Sequence, residues 1–231
     1  MEMSDKISGK WKELLIIVMV LFPIIFTLYI WPMAPDIVPI HWDFTGKPDN
    51  FADKATGLLL FPGIIIGLYF FMKYLPKIDP SKFNYPSFEK VLLTIRLALH
   101  LLLLFIHFAT SLSIIGSPYD ITSYIFYALI IFMIVLGNSM IDIKQNYFIG
   151  IRTPWTLSNI EVWTSTHRFG GYLWVISGIL ILCLLLLLQL LHINSETIFT
   201  IFLMWIGVIV IAPITYSFVY YKKLEKAQNL N

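Results

Sequence analysis

The side chains able to do chemistry in this chain fall in three places. The first is a set of polar groups inside an apolar run: Arg96, His100, His107 and Ser111. At about 3.6 residues per turn these four lie within a sector of about 60° and share one helix face. A cation and two imidazoles on one face of a membrane helix are the ingredients of a proton or ion path. Against that use, His100 and His107 stand about 10 Å apart along the axis, too far for direct transfer. The alternative, which we take, is that Arg96 snorkels towards the cytoplasm to pair with Asp142 or Glu161. The histidines then bond, neutral, to Tyr124, Tyr127 or Ser177.

The second place is residues 137–171, GNSMIDIKQNYFIGIRTPWTLSNIEVWTSTHRFGG. Arg152 and Arg168 offer bidentate donors, and Asn138, Asn146 and Thr153 offer amides and a hydroxyl. Gly150 precedes the run, and Pro154 forces Thr153 out of the helical region. Ser158 with Glu161 fits a capping box, which predicts a short helix starting just after Ser158. That helix places Ile160, Trp163 and His167 on one face, lying in the membrane interface, with Arg168 free for headgroups. A structural plug under the bundle and a ligand site are compatible readings of this loop. His167 beside Asp142 or Glu161 would suit acid–base chemistry, but no nucleophile stands with them, and we rank an enzyme last.

The third is residues 31–54, WPMAPDIVPIHWDFTGKPDNFADK. His41, Trp42 and Asp43 combine stacking, charge pairing and pH sensitivity in a candidate recognition patch. The prolines with Gly46, Pro48 and Asp49 predict turns with little room for regular structure. In the plainer reading, Asp36, Asp43 and Asp49 accept hydrogen bonds from turn amides.

What must hold these groups is a bilayer fold. The chain has 231 residues, 58% hydrophobic and 13% charged, with mean hydropathy +0.79; an ordinary soluble domain carries about 25% charge. A helix needs about 20 apolar residues to span a bilayer. Six runs serve: Leu14–Ile30, Gly57–Tyr74, Val91–Ser111, Ile121–Ile141, Gly171–Leu191 and Ile198–Tyr220. Pro23, Pro62 and Pro213 inside them kink membrane helices more often than they abolish them. A signal-peptide reading of the first run is disfavoured, because Trp31, Pro32 and Pro35 follow it where a cleavage site would need small residues.

Of 16 basic residues, all but Lys47, Lys54 and Arg96 fall on one side of a six-span arrangement. That side is therefore cytoplasmic and holds both ends. The other side is acidic, with Asp36, Asp43, Asp49, Asp53, Asp120 and Glu196. Trp31 and Trp42 read as outer interfacial anchors, and Trp155, Trp163, Tyr220 and Tyr221 as inner ones. The expected fold is all-α and polytopic, in a cell membrane. Residues 31–56 form the outer loop and 137–171 the inner one. Net charge +2 does not suggest nucleic acid, and the single Cys183 forbids an intramolecular disulfide. No zinc-type cluster, phosphate loop or nucleophile elbow is present, so neither metal nor cofactor is expected.

The order Gly137-Asn138-Ser139-Met140, Gln145-Asn146, Ile149-Gly150, Arg152-Thr153-Pro154-Trp155-Thr156-Leu157, Val162-Trp163 and Arg168-Phe169 resembles the signature of the SdpI family. Val38-Pro39-Ile40-His41-Trp42 with Gly46-Lys47-Pro48-Asp49 resembles the DUF1648 segment found at the N-terminus of such proteins. The resemblance implies a division into residues 1–75, DUF1648-like, and 76–231, SdpI-like. It also implies a non-enzymatic immunity and sensing protein that binds or sequesters a secreted toxin peptide at its outer face. A cytoplasmic regulator would meet the inner motif. The alternative is a small-molecule or proton-coupled transporter using the third helix, against which stand the missing inverted repeat and the lack of an intramembrane acid.

Overall fold

The structure is a computed structural model that describes residues 2–43, 47–116 and 121–228, with the side chains of 2–9 and 121–123 left aside. Gly46 and Asp120 lie outside the described residues. The chain runs α1 (Glu2–Ile30), β1 (Ile37–Trp42), β2 (Pro48–Asp53), α2 (Lys54–Ile78), a 3₁₀ helix (Lys82–Phe88), α3 (Glu89–Ile114), α4 (Ile121–Met140), α5 (Pro154–Ser158), α6 (Ile160–Leu190) and α7 (Ser195–Gln228). It is an all-α, multi-pass membrane fold carrying one small hairpin. Among the described residues, five helices are long and apolar enough to cross a membrane, while α4 offers a shorter apolar stretch, Tyr124–Met140.

The helices pack as two groups, α1–α2–α3 and α4–α6–α7, joined through α3 and α4. Their outward faces are apolar: Leu28, Leu180, Met204 and Ile211 are each about two-thirds exposed, as lipid contact requires and water would not tolerate. Close approach within the second group comes from glycine. A Cβ on Gly137 would stand 2.7 Å from the Trp174 Cβ, and one on Gly171 would stand 2.7 Å from the Gly137 carbonyl oxygen. Small residues at such crossings let membrane helices touch backbone to backbone.

Proline inside a helix leaves the carbonyl four residues earlier without its amide partner. Two of the freed carbonyls become ties between helices. Pro62 frees Leu58, whose oxygen accepts the Thr27 hydroxyl from α1 at 3.3 Å. Pro213 frees Ile209, whose oxygen accepts the Trp174 indole N–H from α6 at 2.8 Å. Trp174→Phe should therefore cost about 1–3 kcal/mol, the penalty for orphaning a buried acceptor. Against a Pro213→Ala background, which restores the helical amide, the same change should cost less. Unfolding of the four proteins in detergent checks this.

Three expectations need correction. The outer loop is not irregular: β1 and β2 pair antiparallel with Ile37 opposite Asp53, Val38 opposite Ala52 and Trp42 opposite Pro48. Both strands of a two-stranded ribbon are edges, so Pro39 and Pro48 cost little. The inner loop is much shorter than 137–171, because α6 runs unbroken from Ile160 through Gly170 and Gly171 into the membrane. Its cap is Asn159, whose side chain accepts from the amides of Glu161 and Val162. Ser158 instead closes α5, and the capping box is Thr153 with Thr156. Finally, Trp163 is 1% exposed and packs inside the protein, so it is no interfacial anchor.

Candidate functional site

At one end of the bundle, the hairpin is welded to α2. Asp53, the last residue of β2, caps α2, and its carboxylate is held below its ordinary range by the Thr56 hydroxyl and amide. Gly57 lies so close to Val38 that any Cβ there would collide with it. Ile30, Ala34, Val38, Leu58 and Ile114 bury the hairpin's root between α1, α2 and α3. Further out, Asp43 accepts the Lys47 amide at 3.0 Å, as a turn carboxylate should. Asp49 instead meets the His41 imidazole at 2.5 Å, and both side chains remain exposed. Beneath the hairpin lies a cavity of about 650 Å³, lined by His41, Trp42, Asp43 and Asp49 above and by Phe61, Ile106, Thr110, Ile125, Phe126 and Phe199 from the helices. The recognition patch expected from the sequence thus roofs an aromatic vestibule. The helix residues of that vestibule carried no signal beyond their apolarity.

At the other end, residues 141–159 fold into a hydrogen-bonded lattice. Asn146 is fully buried; its amide donates to the carbonyls of Lys144 and Ile149, and its oxygen accepts the amides of Phe148 and Ile149. Gln145 donates to the Thr156 and Leu157 carbonyls. Thr156 accepts the Thr153 amide and donates to the Ile151 carbonyl. Thr153 reaches α7 through Ser217, 3.0 Å away. Pro154 opens α5, where its missing N–H costs nothing. Gly150 has φ +113°, and a Cβ there would strike His167. The His167 ring stacks on Trp163 with centroids 4.0 Å apart. Its Nε2 accepts the Ile151 amide at 3.0 Å, so Nδ1–H donates to the Trp163 carbonyl at 2.8 Å. Both nitrogens are spent on backbone, in the neutral form. Asp142 is exposed, and Glu161 accepts the Tyr220 hydroxyl, so neither carboxylate partners the imidazole.

Among the other residues expected here, Arg152 is exposed and donates from Nη1 to the Tyr147 carbonyl. Trp155 packs on Phe218, centroids 4.9 Å apart. Arg168 is exposed on α6, and Asn138 is exposed on α4, outside the lattice. Ile160 is exposed and separate from the Trp163–His167 stack. Sequence reasoning missed Asp79, which is 1% exposed. Its carboxylate accepts the Ser81 amide, the Tyr85 hydroxyl and the Tyr147 amide, tying the loop after α2 to the lattice. An acid standing alone between Lys77 and Lys82 was the available signal.

The stripe on α3 faces α1. Arg96 donates from both terminal nitrogens to Glu13, at 2.9 and 3.2 Å; Asp142 and Glu161 are not its partners. Glu13 also accepts the Tyr69 hydroxyl at 3.1 Å. The His100 Nδ1 donates to the Arg96 carbonyl, and the His107 Nε2 meets the Thr27 hydroxyl at 3.1 Å. Tyr127 bonds Gln189 and Ser177 accepts from Trp205, so these candidates for the histidines are engaged elsewhere. The Ser111 hydroxyl is buried without a hydrogen-bond partner among the described residues. No group of metal-binding side chains occurs among the described residues.

The SdpI/YfhL protein family matches residues 142–217, which hold the lattice, α6 and most of α7. DUF1648, a domain of unknown function, matches residues 18–66, covering the C-terminal part of α1, the hairpin and the first half of α2. The chain is 28% identical to the immunity protein SdpI of Bacillus subtilis (strain 168) over 215 residues, 93% of this chain and 98% of that protein. No solved structure matches. Both motif resemblances are thereby shown.

Proposed function

We propose that this chain, which carries an SdpI/YfhL segment behind a DUF1648 segment, is an immunity protein of the bacterial cell membrane. It protects the cell from a secreted antimicrobial peptide by binding it, without covalent chemistry. The observation that carries this reading is the similarity to an immunity protein along almost the whole of both chains. The natural division is residues 1–75 and 76–231, with six spans and both ends cytoplasmic, α4 supplying the shortest span. On that orientation the aromatic vestibule under the hairpin opens outward, where a secreted peptide arrives. An apolar or aromatic side chain of the peptide enters between Phe61, Phe126 and Phe199, while His41, Trp42 and Asp43 contact its polar edge. The lattice holding Asn146, Gly150, Arg152, Thr153 and Trp155 braces the cytoplasmic end and presents Arg152, Trp155 and Arg168 to a regulator.

A survival assay tests this. Cells expressing the chain should withstand membrane-active killing peptides that kill the parent strain. Trp42→Ala should shift the protective range about tenfold at unchanged membrane expression, the effect of losing one aromatic anchor. Arg152→Ala or Trp155→Ala should abolish protection at unchanged membrane expression, and normal protection by both would overturn the assignment of the inner motif to function. A chain that protects against no peptide overturns the immunity reading.

A further inference from the structure

A second cavity, of about 410 Å³, lies at the lattice end of the bundle and shares no lining residue with the vestibule. Its walls are apolar: Leu136 and Met140 from α4, Trp174 from α6, Ile209 and Ile214 from α7. Its rim is the segment 149–153, where Arg152 is the one cation among the described residues that line it. The volume falls within the roughly 300–1,000 Å³ of small-molecule pockets.

The rim has unused capacity. Among the described residues, the Arg152 guanidinium meets one acceptor, the Tyr147 carbonyl on Nη1, and no carboxylate. It is exposed, and a guanidinium recognises phosphate in a planar, two-pronged manner. Lys144 and Arg168 are exposed on the same loop and the first turns of α6. An apolar chamber opening beside an unsatisfied cation complements a molecule with an apolar chain and an anionic head. Inside a bilayer, anionic phospholipid is the molecule of that chemistry, and basic pockets between helices at the cytoplasmic side bind such headgroups.

We propose that this chamber holds an acyl chain of one anionic phospholipid, whose phosphate is bound by Arg152. The lipid completes the wall between α4 and α7 and makes the rim's order depend on membrane composition.

Native mass spectrometry of the full chain in mild detergent, titrated with phosphatidylglycerol and with phosphatidylcholine of identical chains, tests it. One phosphatidylglycerol should be retained per chain, with at least about tenfold preference over phosphatidylcholine, as for a charge-assisted contact. Arg152→Gln should bring the preference to near parity, while Arg168→Gln should keep it. Ile214→Phe, which fills the chamber, should lose both lipids; Leu136→Phe, from the facing wall, reads the same quantity should the first variant not fold. Unchanged preference in Arg152→Gln, or unchanged retention in the filled variants, would assign the lipid to the general annulus and overturn the proposal. A dimer peak lost on filling the chamber would assign the space to a second copy and overturn it equally.

Discussion

Gly150→Ala should abolish the folded lattice and, with it, protection. The residue sits at φ +113°, a region closed to side chains at a cost of about 1–3 kcal/mol. The added Cβ also strikes the His167 ring. If the ring swings away, the Ile151 amide loses its acceptor and Trp163 loses its stacking partner. An orphaned buried amide adds about 1–3 kcal/mol, so the total approaches the stability of a small domain. Thermal unfolding in detergent should show a large drop for Gly150→Ala. Asn138→Ala, at an exposed position in the same motif, should melt with wild type. Equal melting of the two variants would refute the account of the lattice.

Glu13→Ala should destabilise the protein by about 3 kcal/mol, because Arg96 would be left buried between α1 and α3 without its counter-charge. The side chains are 10% exposed for Arg96 and 31% for Glu13, so the reverse variant, Arg96→Ala, should cost less. The decisive variant is the double Glu13→Leu/Arg96→Leu. Removing both charges at once spares the desolvation of either, and it should unfold near wild type. The exchange Glu13→Arg/Arg96→Glu should recover part of the loss. If the double apolar variant protects cells normally, the pair is a structural joint. If it is stable but unprotective, the charges act in function, and the stripe on α3 regains the interest its spacing suggested.

The apolar runs were legible because length and hydropathy decide membrane spans almost alone. What lay beyond that window was partner choice. Glu13 stands 83 residues from Arg96, just before the first apolar run, and no local pattern links the two. The hairpin was hidden by Pro39 and Pro48, which are breakers in a sheet interior but harmless in a ribbon with no interior strand. The Ser158–Glu161 spacing is a sound capping signal, yet Asn159 offered a competing cap one residue later, and Ser158 was already the end of α5. In the inner motif, residue types announced polar business, and Arg152 and Thr153 do have it. Asp79, His167 and Ser217 entered the lattice through tertiary contact, which no local pattern encodes.

The Thr153–Ser217 bond also sets an order of events during synthesis. Gly150 to Ser158 leave the ribosome long before Ser217, which lies late in the last helix. Until α7 is inserted, the Thr153 hydroxyl lacks that partner and the Trp174 indole has no Ile209 carbonyl to meet. The nascent protein therefore passes through a stage in which its lattice end is half-built, with polar groups open to chaperones and proteases. Arrival of the final helix ends that stage, so a chain stopped before residue 217 would carry its own mark for removal.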